Sequence, residues 1–422
     1  MKAASASQSA VRVGWLSPQR RPLTAMISTN FISLFSNQLT AIAVPWFVLT
    51  LTGSATRTGL TAAATLLPSI VMTLLGGAIV DRTSARKMSI FSDLVSGITV
   101  ALVPLLYLAG VLNFPLLLIL MFLGAIFDAP GGTARGTMLP WLAERAGIPL
   151  ERVNSIYGFN QALTALFGAA IAGVMVGVLG AVNVLWFNAA AFAVSALGMA
   201  LLVPETGIHP PSGESLMADI RHGIGWLWRQ TALRTIILAA VVLNGVFSPI
   251  AAVALPWFAK TEYDSAAALG LIMSGLGAGG LVGALAYGAL GTRIARRSQV
   301  LISASLICLP ISGLALLPPL WLTWLLLLVT GIGIGAVNPM VSTILLTESP
   351  PNMRGRVSGV FMAGATVASP LGVLLGGPMI AAFGLQRTFL TFGVILLVLL
   401  GSLIVSRSLA GLDTRDAAAE AT

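Results

Sequence analysis

Charge, histidine and cysteine are all scarce in this chain. Only 9% of its 422 residues are charged, two are histidine and one, Cys308, is cysteine. Soluble domains carry about 25% charged residues, so this chain cannot clothe an ordinary water-facing surface. A lone cysteine excludes a disulfide framework and a cysteine-built metal site. Both histidines, His209 and His222, fall in one polar connection, so no metal and no cofactor are expected. The glycine-rich run Gly275-Leu-Gly-Ala-Gly-Gly280 sits inside an apolar stretch with no strand before it, which is the wrong setting for a phosphate-binding loop. Close helix packing is its expected role, as for Gly372, Gly376 and Gly377. No apolar stretch carries a nucleophile beside a base, so an enzyme is not expected.

What the chain has instead is apolar length. Hydrophobic residues make up 57% of it, the mean hydropathy is +0.94, and runs of 18 or more nearly uncharged residues recur. That length crosses a hydrocarbon core of roughly 30 Å as a helix, whereas barrel strands would show short alternating segments. The expected fold is an all-α integral membrane protein with 12 transmembrane helices. Residues 1–22 are polar and basic with no short apolar core, so they read as a cytoplasmic tail rather than a signal peptide. Six spans follow within 23–203, a linker occupies 204–232, six more spans fill 233–408, and 409–422 form a second tail. Span 4 is placed at 114–137.

The basic residues orient the spans. With both termini in the cytoplasm, 20 of the 23 Lys and Arg residues lie on that side, and only Arg57, Lys260 and Arg387 fall outside. Such asymmetry is the signature of a multi-pass inner (plasma) membrane protein. It accounts for the net charge of +9 without nucleic acid. Within the linker, Leu216, Ile220, Ile224, Leu227 and Trp228 recur at helical spacing opposite Asp219, Arg221 and Arg229. That pattern predicts a helix lying in the membrane interface.

The two sets of six spans are copies. Pro45-Trp46-Phe47 recurs 211 residues on as Pro256-Trp257-Phe258, and Gly77-Ala-Ile-Val-Asp81-Arg82 recurs at the same offset as Gly288-Ala-Leu-Gly-Thr292-Arg293. Ala129-Pro130 corresponds to Asn338-Pro339 at an offset of 209, and Arg152-Val to Arg356-Val at 204. An even number of spans per copy makes them parallel six-helix repeats, a transporter architecture with its substrate site between the repeats. The outer Trp46 and Trp257 are expected to be interfacial anchors.

The loop Gly77-x-x-x-Asp81-Arg82-x-Ser84-Ala85-Arg86-Lys87 resembles the signature loop of the major facilitator superfamily, with Ser84 and Ala85 replacing a glycine and an arginine. The resemblance covers nearly the whole chain. Asp93, the run Arg152-Val-Asn154, and residues 220–234 are similar to the branch of macrolide and enterobactin-type siderophore exporters. It implies two six-helix halves and transport of a small molecule by alternating access. In that fold Asp81 would meet the positive N-terminus of span 11, while Arg82 or Arg86 bridges to Asp128. Gly77, Asp81, Arg82, Arg86, Lys87 and Asp128 would then latch the halves at the cytoplasmic face.

Acids within spans are expensive, and each is a functional candidate. Asp128 and Asp93 are the candidate proton carriers; Asp93 also lies where loop bases are expected to pair with it. Glu348 is expected to pair with Arg354 or Arg356. Polar groups at depth nominate the substrate cavity: Asn30, Asn37 and Gln38 on span 1, Asn160 and Gln161 on span 5, Asn244 and Ser248 on span 7, and Asn338 on span 10. A cavity of neutral amides and apolar groups suits a bulky amphipathic solute of drug or siderophore type. The expected function is therefore secondary active efflux, with the proton as coupling ion, membrane lipids as surroundings and the monomer as the working unit. An uptake carrier or a lipid flippase would share the architecture.

Overall fold

In the computed structural model, residues 17–81, 83–205, 224–349, 354–406 and 408 are described. Twelve long helices run through them: α1 Arg21–Thr52, α2 Ala55–Asp81, α3 Ala85–Leu108, α4 Phe114–Ala146, α5 Leu150–Leu179 and α6 Ala181–Leu202, then α7 Thr231–Tyr263, α8 Ala266–Leu290, α9 Arg296–Leu316, α10 Leu320–Glu348, α11 Val357–Phe383 and α12 Leu385–Val405. Among the described residues, eleven of these helices contain an 18-residue window apolar enough to cross a membrane. The 27 residues of α2 rise about 40 Å at helical pitch, more than a bilayer core requires.

Short connections set the alternation of direction. Gly53 and Gly147 end α1 and α4 in the left-handed conformation, at φ 57 and 62, which a glycine adopts without steric cost. Ser84, standing where the signature loop has glycine, caps α3 by accepting from the Lys87 amide. Asn113 and Ser265 cap α4 and α8 in the same way. Two prolines do not end α4, which runs to Ala146 through Pro130 and Pro140. The helix thus runs past the span placed at 114–137 and stops only at the Gly147 cap. Helix α7 absorbs Pro249 and Pro256 with π-helical turns at Ile250–Ala254 and Ala259–Tyr263, whose wider loops accommodate amides that cannot donate. Helix α11 breaks at 367–368.

Packing repeats as the sequence does. Helix α4 packs on α2 and α3, and α6 on α1 and α3; in the second half α10 packs on α8 and α9, and α12 on α9. The halves meet along α2–α11 and α5–α8. With twelve passes the described ends of the chain share one face of the bundle, and close contacts between halves lie at mid-depth and toward the opposite face. There, a Cβ added at Gly173 would stand 2.6 Å from the Gly270 Cα, and one at Gly377 2.7 Å from the Thr56 Cα. Near mid-depth, one at Gly277 would stand 2.1 Å from the Ala165 carbonyl oxygen. Glycine is what allows these backbones to touch. Trp46 is 8% exposed, with the Lys260 ammonium 5.2 Å from its ring centroid. It is therefore a buried contact between halves, which corrects the expectation of an interfacial anchor.

Candidate functional site

The first half carries a buried polar knot. Asp93 on α3 and Arg135 on α4 are 1% and 4% exposed and pair at 2.5 Å. Ser33 of α1 donates to Asp93 Oδ1 at 3.1 Å, and Ser195 of α6 to Oδ2 at 2.6 Å. Arg135 Nε donates to Ser89 Oγ at 3.0 Å. Four helices are thus tied by one ion pair whose lone pairs are met by hydroxyls, the condition under which a buried pair is tolerable. Asp93 does not pair with loop bases; its partner Arg135 stands within α4 and is buried. The seven-residue spacing between Asp128 and Arg135, two helical turns on one face, was the available signal for this. The serines carried none.

Asp128 stands apart from that pair. It lines a cavity of about 80 Å³ among α1, α2, α3 and α4, together with Asn37, Thr65, Ser69 and Thr99. Asn37 Nδ2 donates to its two carboxylate oxygens at 3.2 and 3.4 Å. Asp128 is half-buried, and its hydrogen-bond partner is a neutral amide.

The signature loop is partly described. Arg82 lies outside the described residues, as do residues 350–353 ahead of α11 and the side chains of Asp81, Arg354 and Arg356; the docking of Asp81 falls there. Arg86 does not bridge to Asp128. Its guanidinium donates to the Ala200 carbonyl at the C-terminal end of α6. In the second half Arg297 donates to the Ile404 carbonyl near the end of α12 at 3.2 Å. These are repeat-related contacts, each placing a cation where a helix leaves carbonyls unpaired and carries partial negative charge. Lys87 pairs with Glu205 at 3.0 Å, again inside the first half. Glu348 pairs with Arg296 at 3.5 Å. Of the linker helix, only residues 224–229 are described; Leu227 is buried and Trp228 exposed.

The nominated cavity amides divide. Asn30, 1% exposed, accepts from the Tyr157 hydroxyl at 3.3 Å, and Asn160 donates to the Ile27 carbonyl at 3.1 Å; both bridge α1 to α5. Gln38 lies over Gly168, and Gln161 is exposed on α5. In the second half Asn244 and Asn338 share the wall of a cavity of about 440 Å³ among α7, α9, α10 and α11. Ser248, one turn beyond Asn244, is not part of that wall.

Comparison with known proteins agrees with this architecture. The transmembrane secretion effector family matches residues 14–422. The chain is 36% identical over 387 residues to the multidrug efflux pump Tap of Mycolicibacterium fortuitum, covering 90% of this chain and 94% of that one. It is 27% identical to the enterobactin exporter EntS of Citrobacter koseri, covering 90% and 92%. Among solved structures, the nucleoside transporter NupG superposes with a TM-score of 0.78 at 14% identity, covering 90% of this chain and 98% of that one. The likeness to NupG extends to the fold alone.

Proposed function

The chain belongs to the transmembrane secretion effector family of the major facilitator superfamily, and from that premise we propose that it expels bulky amphipathic small molecules, of drug or siderophore type, in exchange for protons. It is a multi-pass membrane transporter and not an enzyme. The efflux direction and cargo class follow the multidrug pump and the siderophore exporter it is similar to. In this reading it works as a monomer in the inner membrane with both termini cytoplasmic, surrounded by lipid. The two halves rock about α2–α11 and α5–α8 to expose a central site to either side in turn.

The observation that carries the proton assignment is the contrast between two acids. Asp93 is paired with buried Arg135 and hydrogen-bonded by Ser33 and Ser195, so taking up a proton there would break a buried pair. Asp128 faces a small polar cavity with an amide as its hydrogen-bond partner, so among the described residues protonation costs it no salt bridge. Asp128 is the proton carrier, and Asn37 is its hydrogen-bond donor when it is charged. Asp81 serves as the cytoplasmic latch, docking its charge on the N-terminus of α11, where Thr292 in the second copy offers none.

The test is transport into inverted vesicles from an efflux-deficient host, using ethidium and an imposed proton gradient. Wild type accumulates the dye as protons leave. Asp128→Asn is expected to bind dye but lose acceleration by the gradient. Gradient-driven accumulation at the wild-type rate in that variant would remove Asp128 from the role.

A further inference from the structure

The two halves are related by sequence repeat but not by chemistry at one place. At the offset of 211 residues, Ser89 and Asp93 of the first half's knot correspond to Val300 and Ala304, and Ser33 to Asn244. At the offset of 209, Asp128 and Arg135 correspond to Val337 and Ile344. Every charged member of the knot has an apolar counterpart, and the aspartate has been replaced by the smallest of side chains with a Cβ. The space is not refilled. Val300, Ala304, Asn244 and Val337 are all on the wall of the 440 Å³ cavity. The second half therefore holds a chamber where the first half holds an ion pair.

The chamber has the size and lining of a small-molecule site, which is typically about 300–1,000 Å³ and apolar with a few polar groups. Among the described residues, its wall carries no charged side chain. Its floor is buried: Met340 is 3% exposed and Phe361 2%. Asn338 and Ser342 on α10 and Met362 on α11 line it and are exposed. An empty apolar void of this size would leave its lining without dispersion partners on one side. Asn244 uses its amide nitrogen within its own helix, donating to the Ala240 carbonyl, which leaves its carbonyl oxygen as an acceptor.

We infer that this chamber binds the uncharged ring or alkyl portion of the cargo, entered between α10 and α11, so that the halves divide the work: proton exchange in the first, apolar binding in the second. The cargo it serves rests on the efflux reading above. Charged groups are excluded because the chamber offers them no counter-ion, and desolvating them there is costly. Neutral aromatic groups gain dispersion contact with Phe361, Met340 and the small residues opposite.

Photolabelling in lipid nanodiscs tests this without requiring transport. Benzophenone is neutral and apolar, and its excited carbonyl reacts preferentially at methionine. Illumination followed by peptide mass spectrometry is expected to label Met340, which only a probe inside the chamber reaches. Filling the chamber by Ala304→Phe, or by the milder Ala240→Leu should the first misfold, is expected to cut Met340 labelling about tenfold, equivalent to roughly 1.4 kcal/mol of binding. Label confined to lipid-facing side chains, or Met340 labelling unchanged in a folded filling variant, would overturn the chamber, as would a lipid tail that keeps the probe out. Met340 labelling in a protein without proton-driven efflux would instead sink the coupling reading while leaving the chamber standing.

Discussion

Removing the Asp93 carboxylate leaves the buried Arg135 guanidinium without its ion-pair partner and with Ser89 as its remaining hydrogen-bond partner. Breaking a buried pair from one side costs about 3–5 kcal/mol, whereas replacing both members by apolar groups of similar volume is near neutral. Asp93→Ala is therefore expected to lower the melting temperature of the purified protein sharply, and Asp93→Ala combined with Arg135→Met to restore most of it. A double variant as unstable as the single one would mean that the serine hydrogen bonds, rather than the charges, hold the four helices. The second half supports the first outcome, because α10 and α12 pack on α9 with Ala304 and Ile344 in those places. At this scale sequence reading reached the acids but not their sorting. Asp93 and Asp128 look alike along the chain; which one meets a base depends on how far α4 extends and which face it turns to α3.

At the scale of the helix, glycine spacing was legible and its partner was not. The run from Gly275 to Gly280 serves two interfaces at once. Gly275 and Gly279 face α10, with added Cβ atoms falling 2.8 and 2.0 Å from the Trp324 and Leu328 carbonyl oxygens, while Gly277 faces α5 across the boundary between halves. Gly280 has nothing within 4 Å of such a Cβ. Gly277→Ala is expected to push α5 and α8 apart at a cost of about 1–3 kcal/mol and to reduce ethidium efflux, with Gly280→Ala much less affected. Equal efflux by the two variants would show that the α5–α8 contact tolerates a shift that transport does not sense. The paired contacts Arg86–Ala200 and Arg297–Ile404 belong to this scale as well. Both signature loops retain a base that ties the third helix of a half to the end of its sixth, whether or not the acid is kept. Sequence alone assigned those bases to topology and to the latch, because a helix end offers no residue type to match against.

For the whole molecule, close contacts between halves lie at mid-depth and on the side away from the termini. Alternating access requires that side to open in part of the cycle. Gly177 and Ala267, on α5 and α8, are suitably placed to test it, since a Cβ at 177 would lie 3.6 Å from that of Ala267, within the range a disulfide needs. In a Cys308→Ala background, which carries no other cysteine, Gly177→Cys with Ala267→Cys is expected to lose transport on oxidation and recover it with reductant. Full transport in the oxidised protein would show that this face need not part there. Asp81→Ala acts at the same scale: a folded variant in the membrane is expected to lose efflux, and wild-type efflux would remove the latch.

The sequence by itself determined the membrane class, the twelve helices, the parallel repeat and the superfamily. These rest on apolar length, the period of the copies and the sidedness of the bases, all of which are local or one-dimensional. Only the tertiary structure decided that Asp93 meets Arg135 while Asp128 meets Asn37, that Trp46 is buried between the halves, and that Asn244 and Asn338 share one chamber while Asn30 and Asn160 bridge helices. Those outcomes depend on which face each helix presents to which neighbour, and rotation about a helix axis leaves no trace in a stretch that is apolar on nearly every side. The chamber needed both sources. The repeat says that Ala304 stands where Asp93 should, and the fold shows that nothing moved in to fill the space.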